Sequence, residues 1–284
     1  MKVGMNLFLW TDDPVDEAWL PLYGRLKAMG FDGIELPIFD PDPEKFAVLG
    51  RHLDDLGLAR TAVTICNPED DPLSPDPAIR TAGTERLCRV VDCCEAAGVE
   101  TLAGPLYAAI GQFSGAGPTN EEWQRSLEVI GAVADHAARI DLRLAFEFLN
   151  RFEIYLLNTA ADTARYVRAL DRPNVGVHYD TFHAHIEEKS IPEAIRSLSG
   201  CLAHVHISEN DRSTPGSGNV RWDANFDTLN QIGYDNLMVI EAFGLALEKL
   251  VPATKIWRRM YQSERQLATD GLAFMKAEVA KRWG

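Results

Sequence analysis

Four apolar runs in the second half of the chain each end on a side chain able to bind a cation, and this recurrence restricts the fold more than any other feature. Leu142-Arg143-Leu144-Ala145-Phe146 runs into Glu147, and Val175-Gly176-Val177-His178-Tyr179 into Asp180. Leu202-Ala203-His204-Val205 runs into His206, and Leu237-Met238-Val239-Ile240 into Glu241. A buried strand tolerates a charge poorly unless it is paired or metal-bound, so each of these groups belongs where its strand emerges. The intervals are 33, 26 and 35 residues, about one strand–helix unit each. If the strands are parallel neighbours, the four side chains meet at one end of one sheet.

The rest of the chain repeats the unit. Residues 3–9 read as a first strand, and Asp12-Asp13-Pro14 as the start of a helix ending at Met29 before Gly30. The phrase Gly30-Phe31-Asp32-Gly33-Ile34-Glu35 returns as Gly98-Val99-Glu100-Thr101 and as Gly233-Tyr234-Asp235-Asn236. Each reads as a C-capping glycine, a short loop and a new strand. Further strands are expected at 58–65 and 99–103, and helices at 44–56, 77–97, 120–140, 159–170, 191–199 and 223–232. Residues 246–282 read as mostly helical, with Trp257 and Met260 on a buried face. Eight strand–helix units with no linker-like break predict a single domain over 1–284, a closed parallel (β/α)8 barrel with its site at the C-terminal ends of the strands.

The chain has 284 residues, near the length of about 250 usual for this barrel, and 46% of them are hydrophobic. A net charge of −14 disfavours nucleic acid and anionic membranes as partners. No apolar run approaches the ~18 residues of a membrane span. The N-terminal stretch goes straight into a strand without the marks of a signal peptide. Five cysteines without a CxxC pair read as buried thiols of a reducing cytoplasm.

Taken singly, a strand-end acid is more often a solvated cap than a ligand. Three carboxylates and one imidazole together suit a hard or intermediate divalent ion, Mn²⁺ or Mg²⁺ ahead of Zn²⁺. His204 lies two residues before His206, on the same side of its strand but deeper, and is not expected to be a ligand. Trp10, Tyr107, Phe113 and Phe243 are candidates for an apolar wall of a sugar site. Pro215-Gly216-Ser217-Gly218 could cradle a phosphate, but only Arg212 and Arg221 accompany it, which favours a free sugar.

The blocks Glu147-Phe148-Leu149-Asn150-Arg151-Phe152-Glu153, Asp180-Thr181-Phe182-His183, His204-Val205-His206 with Arg212, and Glu241-Ala242-Phe243 resemble the ketose 3-epimerases of the xylose isomerase-like barrels. The resemblance runs over nearly the whole chain. It implies one divalent ion, Mn²⁺ with Mg²⁺ or Co²⁺ as substitutes, held by Glu147, Asp180, His206 and Glu241. It implies Glu147 and Glu241 as the acid–base pair, and Glu153, His183 and Arg212 as groups that bind O1, O2 or O3. A loop pairing with Arg151 is the plainer alternative for Glu153.

The implied reaction is epimerisation of a free ketose at C3, of the D-tagatose/D-sorbose, D-fructose/D-allulose or L-ribulose/L-xylulose type, through a metal-stabilised cis-enediolate. A cytoplasmic homodimer or homotetramer is expected. The loop from Leu106 to Pro118 and the stretch after Trp10 depart from the tagatose epimerases, which leaves the preferred ketose open. A 1,2 aldose–ketose isomerase on the same site is the main rival. An endonuclease IV-like hydrolase would want more histidines and a basic face, and a non-catalytic sugar-binding barrel would be expected to have lost a carboxylate.

Overall fold

The computed structural model describes residues 1–245, 247–248 and 251–284, the side chain of Ala253 aside. In chain order the elements are β1 (Val3–Asn6), α1 (Leu20–Met29), β2 (Gly33–Pro37), α2 (Pro43–Leu56), β3 (Ala59–Val63), α3 (Pro77–Ala97), β4 (Thr101–Gly104), α4 (Asn120–Ala137) and β5 (Arg143–Glu147). They continue as α5 (Ala160–Leu170), β6 (Val175–Asp180), α6 (Thr181–Glu187), α7 (Ile191–Ser197), β7 (Leu202–Ile207), α8 (Trp222–Gln231), β8 (Met238–Ile240), α9 (Val251–Thr254) and α10 (Glu264–Arg282). All eight strands pair in parallel with their sequence neighbours, and β8 closes on β1 through Val3↔Met238, Gly4↔Val239 and Met5↔Ile240. The expected closed barrel is present.

Alternation along each strand sorts side chains onto two faces. The outward face packs against the helices and carries the main apolar core. Phe146 meets the Tyr166 ring of α5 edge-on at 5.6 Å, and the Tyr179 hydroxyl reaches Asn225 of α8 at 2.7 Å. The interior is different: such barrels usually fill it with bulky aliphatic side chains. Here Asn6, Glu35, Thr61, His178, His204 and His206 lie buried and polar, with the small residues Ala103, Ala145 and Ala203 among a minor apolar cluster. A polar column through the middle leaves the shell between sheet and helices as the principal hydrophobic core.

The repeated glycine phrase does what its sequence suggested. Gly30 and Gly98 cap α1 and α3 in the left-handed region, with φ of 99° and 66°, and Gly233 lies there too, at 73°, just past the end of α8. Element boundaries differ most in three places. The first strand stops at Asn6, because the Asn6 side chain accepts from the Phe8 amide and turns Leu7–Leu9 into a 3-10 helix. The first α-helix begins at Leu20 rather than at Asp12, after a 3-10 turn capped by Asp16. In the last stretch α9 and α10 flank non-helical residues, Trp257 is 67% exposed and Met260 only half-buried. The helical expectation for 246, 249 and 250 falls outside the described residues. Among the described residues, no helix is long and apolar enough to cross a membrane.

Candidate active site

Register explains how four distant residues meet. Glu147 is the last residue of β5 and pairs across to His178; Asp180 is the last of β6 and lies opposite His206. His206 stands beside Val239 of β8, and the Glu241 amide bonds the Ile207 carbonyl at 3.1 Å, which brings the carboxylate just past β8 to the same level. One ligand atom from each of Glu147, Asp180, His206 and Glu241 lies within 4.8 Å of the others, and all four residues are buried. The cluster sits at the C-terminal end of the barrel, where βα loops surround it.

The donor set fits a divalent cation. His206 Nδ1 is buried without a hydrogen-bond partner and lies 3.3 Å from Glu241 Oε1. Three carboxylates share one small volume with the single guanidinium of Arg212, whose Nη1 is 2.6 Å from Asp180 Oδ2 and 2.5 Å from Glu241 Oε2. Like charges this close disfavour joint ionisation, and a further positive charge relieves them. Burial, then the Glu241 charge, pushes the Glu147 carboxyl well above its ordinary range. Burial raises Asp180 to about 6 against the pull of Arg212. Burial also acts on Glu241, but the His206 and Arg212 charges outweigh it and hold this carboxyl below the usual value.

The other expected residues converge on the same place. Arg212 is 6% exposed, adopts a left-handed φ of 62°, and lies over the Phe182 ring at 3.8 Å. His183 accepts the Asn150 amide on Nδ1 at 2.9 Å and turns Nε2 toward Arg212 Nη2 at 2.9 Å and Glu147 Oε1 at 3.6 Å. Burial and the Arg212 charge keep its ring well below the ordinary histidine range, hence neutral. Glu153 accepts from Asn150 Nδ2 at 2.7 Å and faces the pocket; Arg151 instead pairs with Glu187 at 2.7 Å. The loop pairing considered for Glu153 is therefore absent.

Above the cluster opens a pocket that Glu147, Glu241, His183 and Arg212 help to line. Beside these polar groups its lining includes Phe8, Phe39, Val63, Ile65 and Phe243. Of the four aromatics expected there, only Phe243 contributes. Trp10 packs toward α1 and the start of α10, and Phe113 is half exposed. Tyr107 is wholly buried, its hydroxyl donating to the Glu147 carbonyl at 2.8 Å. Phe8 and Phe39 escaped sequence reading because a lone aromatic at a strand end carries no spacing signal.

Two further carboxylates were not foreseen. Glu35, in the recurrent glycine phrase, lies inside the barrel with His204 Nε2 at 2.7 Å and His206 Nε2 at 2.5 Å. His204 is thus directed to Glu35. Glu209 occupies the turn at 215–220: its oxygens accept the Gly216 amide at 2.9 Å, the Val220 amide at 3.0 Å and Trp222 Nε1 at 3.2 Å. A carboxylate of the chain itself thus holds the donors that a phosphate would need.

Comparison with known proteins finds matches over nearly the whole chain. The family model described as xylose isomerase-like TIM barrel matches residues 24–277. A ketose 3-epimerase of Arthrobacter globiformis is 32% identical over 98% of this chain and 97% of its own. An L-ribulose 3-epimerase of Mesorhizobium japonicum is 34% identical over 99% of this chain and 96% of its own. A solved L-ribulose 3-epimerase structure superposes with a TM-score of 0.92 at 32% identity, covering 99% of this chain and 96% of the other. With full-length matches of this kind in both sequence and fold, the chain belongs to the ketose 3-epimerases, a family of isomerases within the xylose isomerase-like TIM barrels.

Proposed function

We propose that the protein epimerises free ketoses at C3, with one divalent cation, Mn²⁺ foremost, held by Glu147, Asp180, His206 and Glu241. The observation that carries this reading is the convergence of those four ligand atoms within 4.8 Å at the mouth of the barrel. Held by these four residues, such a cation would supply positive charge beside the substrate carbonyl and so make the C3 hydrogen more acidic. Glu147 and Glu241 come from strands on different sides of the cluster and stand on opposite faces of the C2–C3 bond. One takes the C3 proton and the other returns a proton from the far side, inverting the centre. Arg212 and His183, buried and fixed by their neighbours, hold O1 and O2, and Glu153 accepts from a sugar hydroxyl.

The aromatic and aliphatic lining of the pocket receives the remainder of the chain of a pentulose or hexulose, of the L-ribulose, D-allulose or D-tagatose type. Occupation of the turn donors by Glu209 favours an unphosphorylated sugar. Five free cysteines suit a cytoplasmic setting, and exposed Phe152 and Trp257 suit a homodimer or homotetramer.

Turnover of L-ribulose and D-fructose in D₂O with Mn²⁺ tests the reaction. The C3 epimer carrying deuterium at C3 is the expected product. An aldose, or label confined to C1, identifies the 1,2-isomerase instead and overturns this reading.

A further inference from the structure

The barrel interior holds a carboxylate that neither the proton transfers nor the sugar contacts use. Glu35 stands on β2 with no solvent exposure. Its Oε1 accepts from Asn6 Nδ2 at 2.8 Å and faces His206 Nε2 at 2.5 Å. Its Oε2 accepts from Thr61 Oγ1 at 2.8 Å and faces His204 Nε2 at 2.7 Å. Donors from β1, β3 and β7 thus surround one side chain of β2, and they fix its position from three directions.

This contact decides what His206 presents to the site. An ionised carboxylate only accepts, so the ring hydrogen facing Glu35 lies on Nε2. Nδ1 is then the nitrogen left for the cluster. It is the atom found buried without a hydrogen-bond partner, 3.3 Å from Glu241 Oε1. A ligating histidine commonly gives its other N–H to a carboxylate, which sets the ring orientation and raises its basicity.

We propose that Glu35 is a positioning residue for cation binding: from across the barrel it holds the His206 ring so that Nδ1, and not Nε2, faces the metal position. This rests on the metal reading above. A competing account makes Glu35 a brace that ties β2 to β7 with no bearing on the cation. His204 separates the two, since it engages the other oxygen of the same carboxylate and belongs to neither the ligand set nor the sugar contacts.

The test measures Mn²⁺ binding to the metal-free full-length chain by electron paramagnetic resonance, for the parent, Glu35→Gln and His204→Gln, with thermal melting of each metal-free chain alongside. Glu35→Gln is expected to weaken Mn²⁺ binding by about 10–100-fold, as loss of such supporting carboxylates does elsewhere. His204→Gln is expected to bind Mn²⁺ much as the parent does, whatever it costs in melting temperature. Parent-like binding by Glu35→Gln, or equal weakening in both variants in step with their melting temperatures, overturns the proposal and leaves the epimerase reading intact. A parent that binds no Mn²⁺ brings down both. A second measurement needs no variant to fold: in the Mg²⁺-loaded parent labelled with ¹⁵N-histidine, the His206 hydrogen is expected on Nε2, and a hydrogen on Nδ1 overturns the assignment.

Discussion

Glu147 and Glu241 are the same chemical group made unlike by their neighbours. Burial and the charge of Glu241 favour the protonated form of Glu147, while His206 and Arg212 keep Glu241 ionised. Pairs of carboxyls pushed apart in this way suit the giving and taking of protons. Replacing either by Gln keeps the shape and removes the proton exchange, so kcat on the best ketose is expected to fall by about 100–10,000-fold. Circular dichroism should remain that of the parent, and a variant within tenfold of parental kcat contradicts the assignment. At this scale the sequence was most informative where a side chain ended an apolar run, as all four proposed ligands do. It was least informative for partners set by tertiary contact. Arg151 lies two residues from Glu153 yet bonds Glu187 on α6, and Glu35 hides in a phrase whose glycines answer only for a turn.

At the scale of elements, the strand ends are built to tight tolerances. Gly104 closes β4 with φ of 124°, and a Cβ there would stand 2.4 Å from the Thr64 carbonyl oxygen. Both the backbone angle and the clash oppose any side chain, and Gly104 also lines the pocket. Gly104→Ala is expected to lower unfolding stability by about 1–3 kcal/mol, read as a lower urea midpoint at unchanged slope. An unchanged midpoint contradicts the clash. Strand and helix order was legible from hydrophobic periodicity and capping glycines. Boundaries were not where a side chain redirected the backbone locally, as the Asn6 carboxamide does at the end of β1. The 257–260 stretch misled for another reason: a Trp and a Met at helical spacing look like a buried stripe, and here Trp257 faces solvent.

At the scale of the molecule, the proposed cation site would tie folding to cation supply. Burying several like-charged carboxylates opposes folding, and a ligand that binds only the native state shifts that balance by about 2.7 kcal/mol at a hundredfold excess over its Kd. For a chain of this size that corresponds to a rise in Tm of roughly 4–5 °C. Scanning calorimetry with Mn²⁺ against EDTA is expected to show this rise, and identical melting curves contradict cation binding at the cluster. The closed barrel itself followed from counting strand–helix units, whereas its polar interior did not, because alternation tells inside from outside without saying which face is apolar.

The Glu209 carboxylate seated in its own turn reaches beyond this protein. On the reading proposed above, a kinase that acts on either epimer withdraws it irreversibly from this catalyst. The protein then only keeps two sugars in exchange, and whichever of them is phosphorylated sooner decides which way carbon drains.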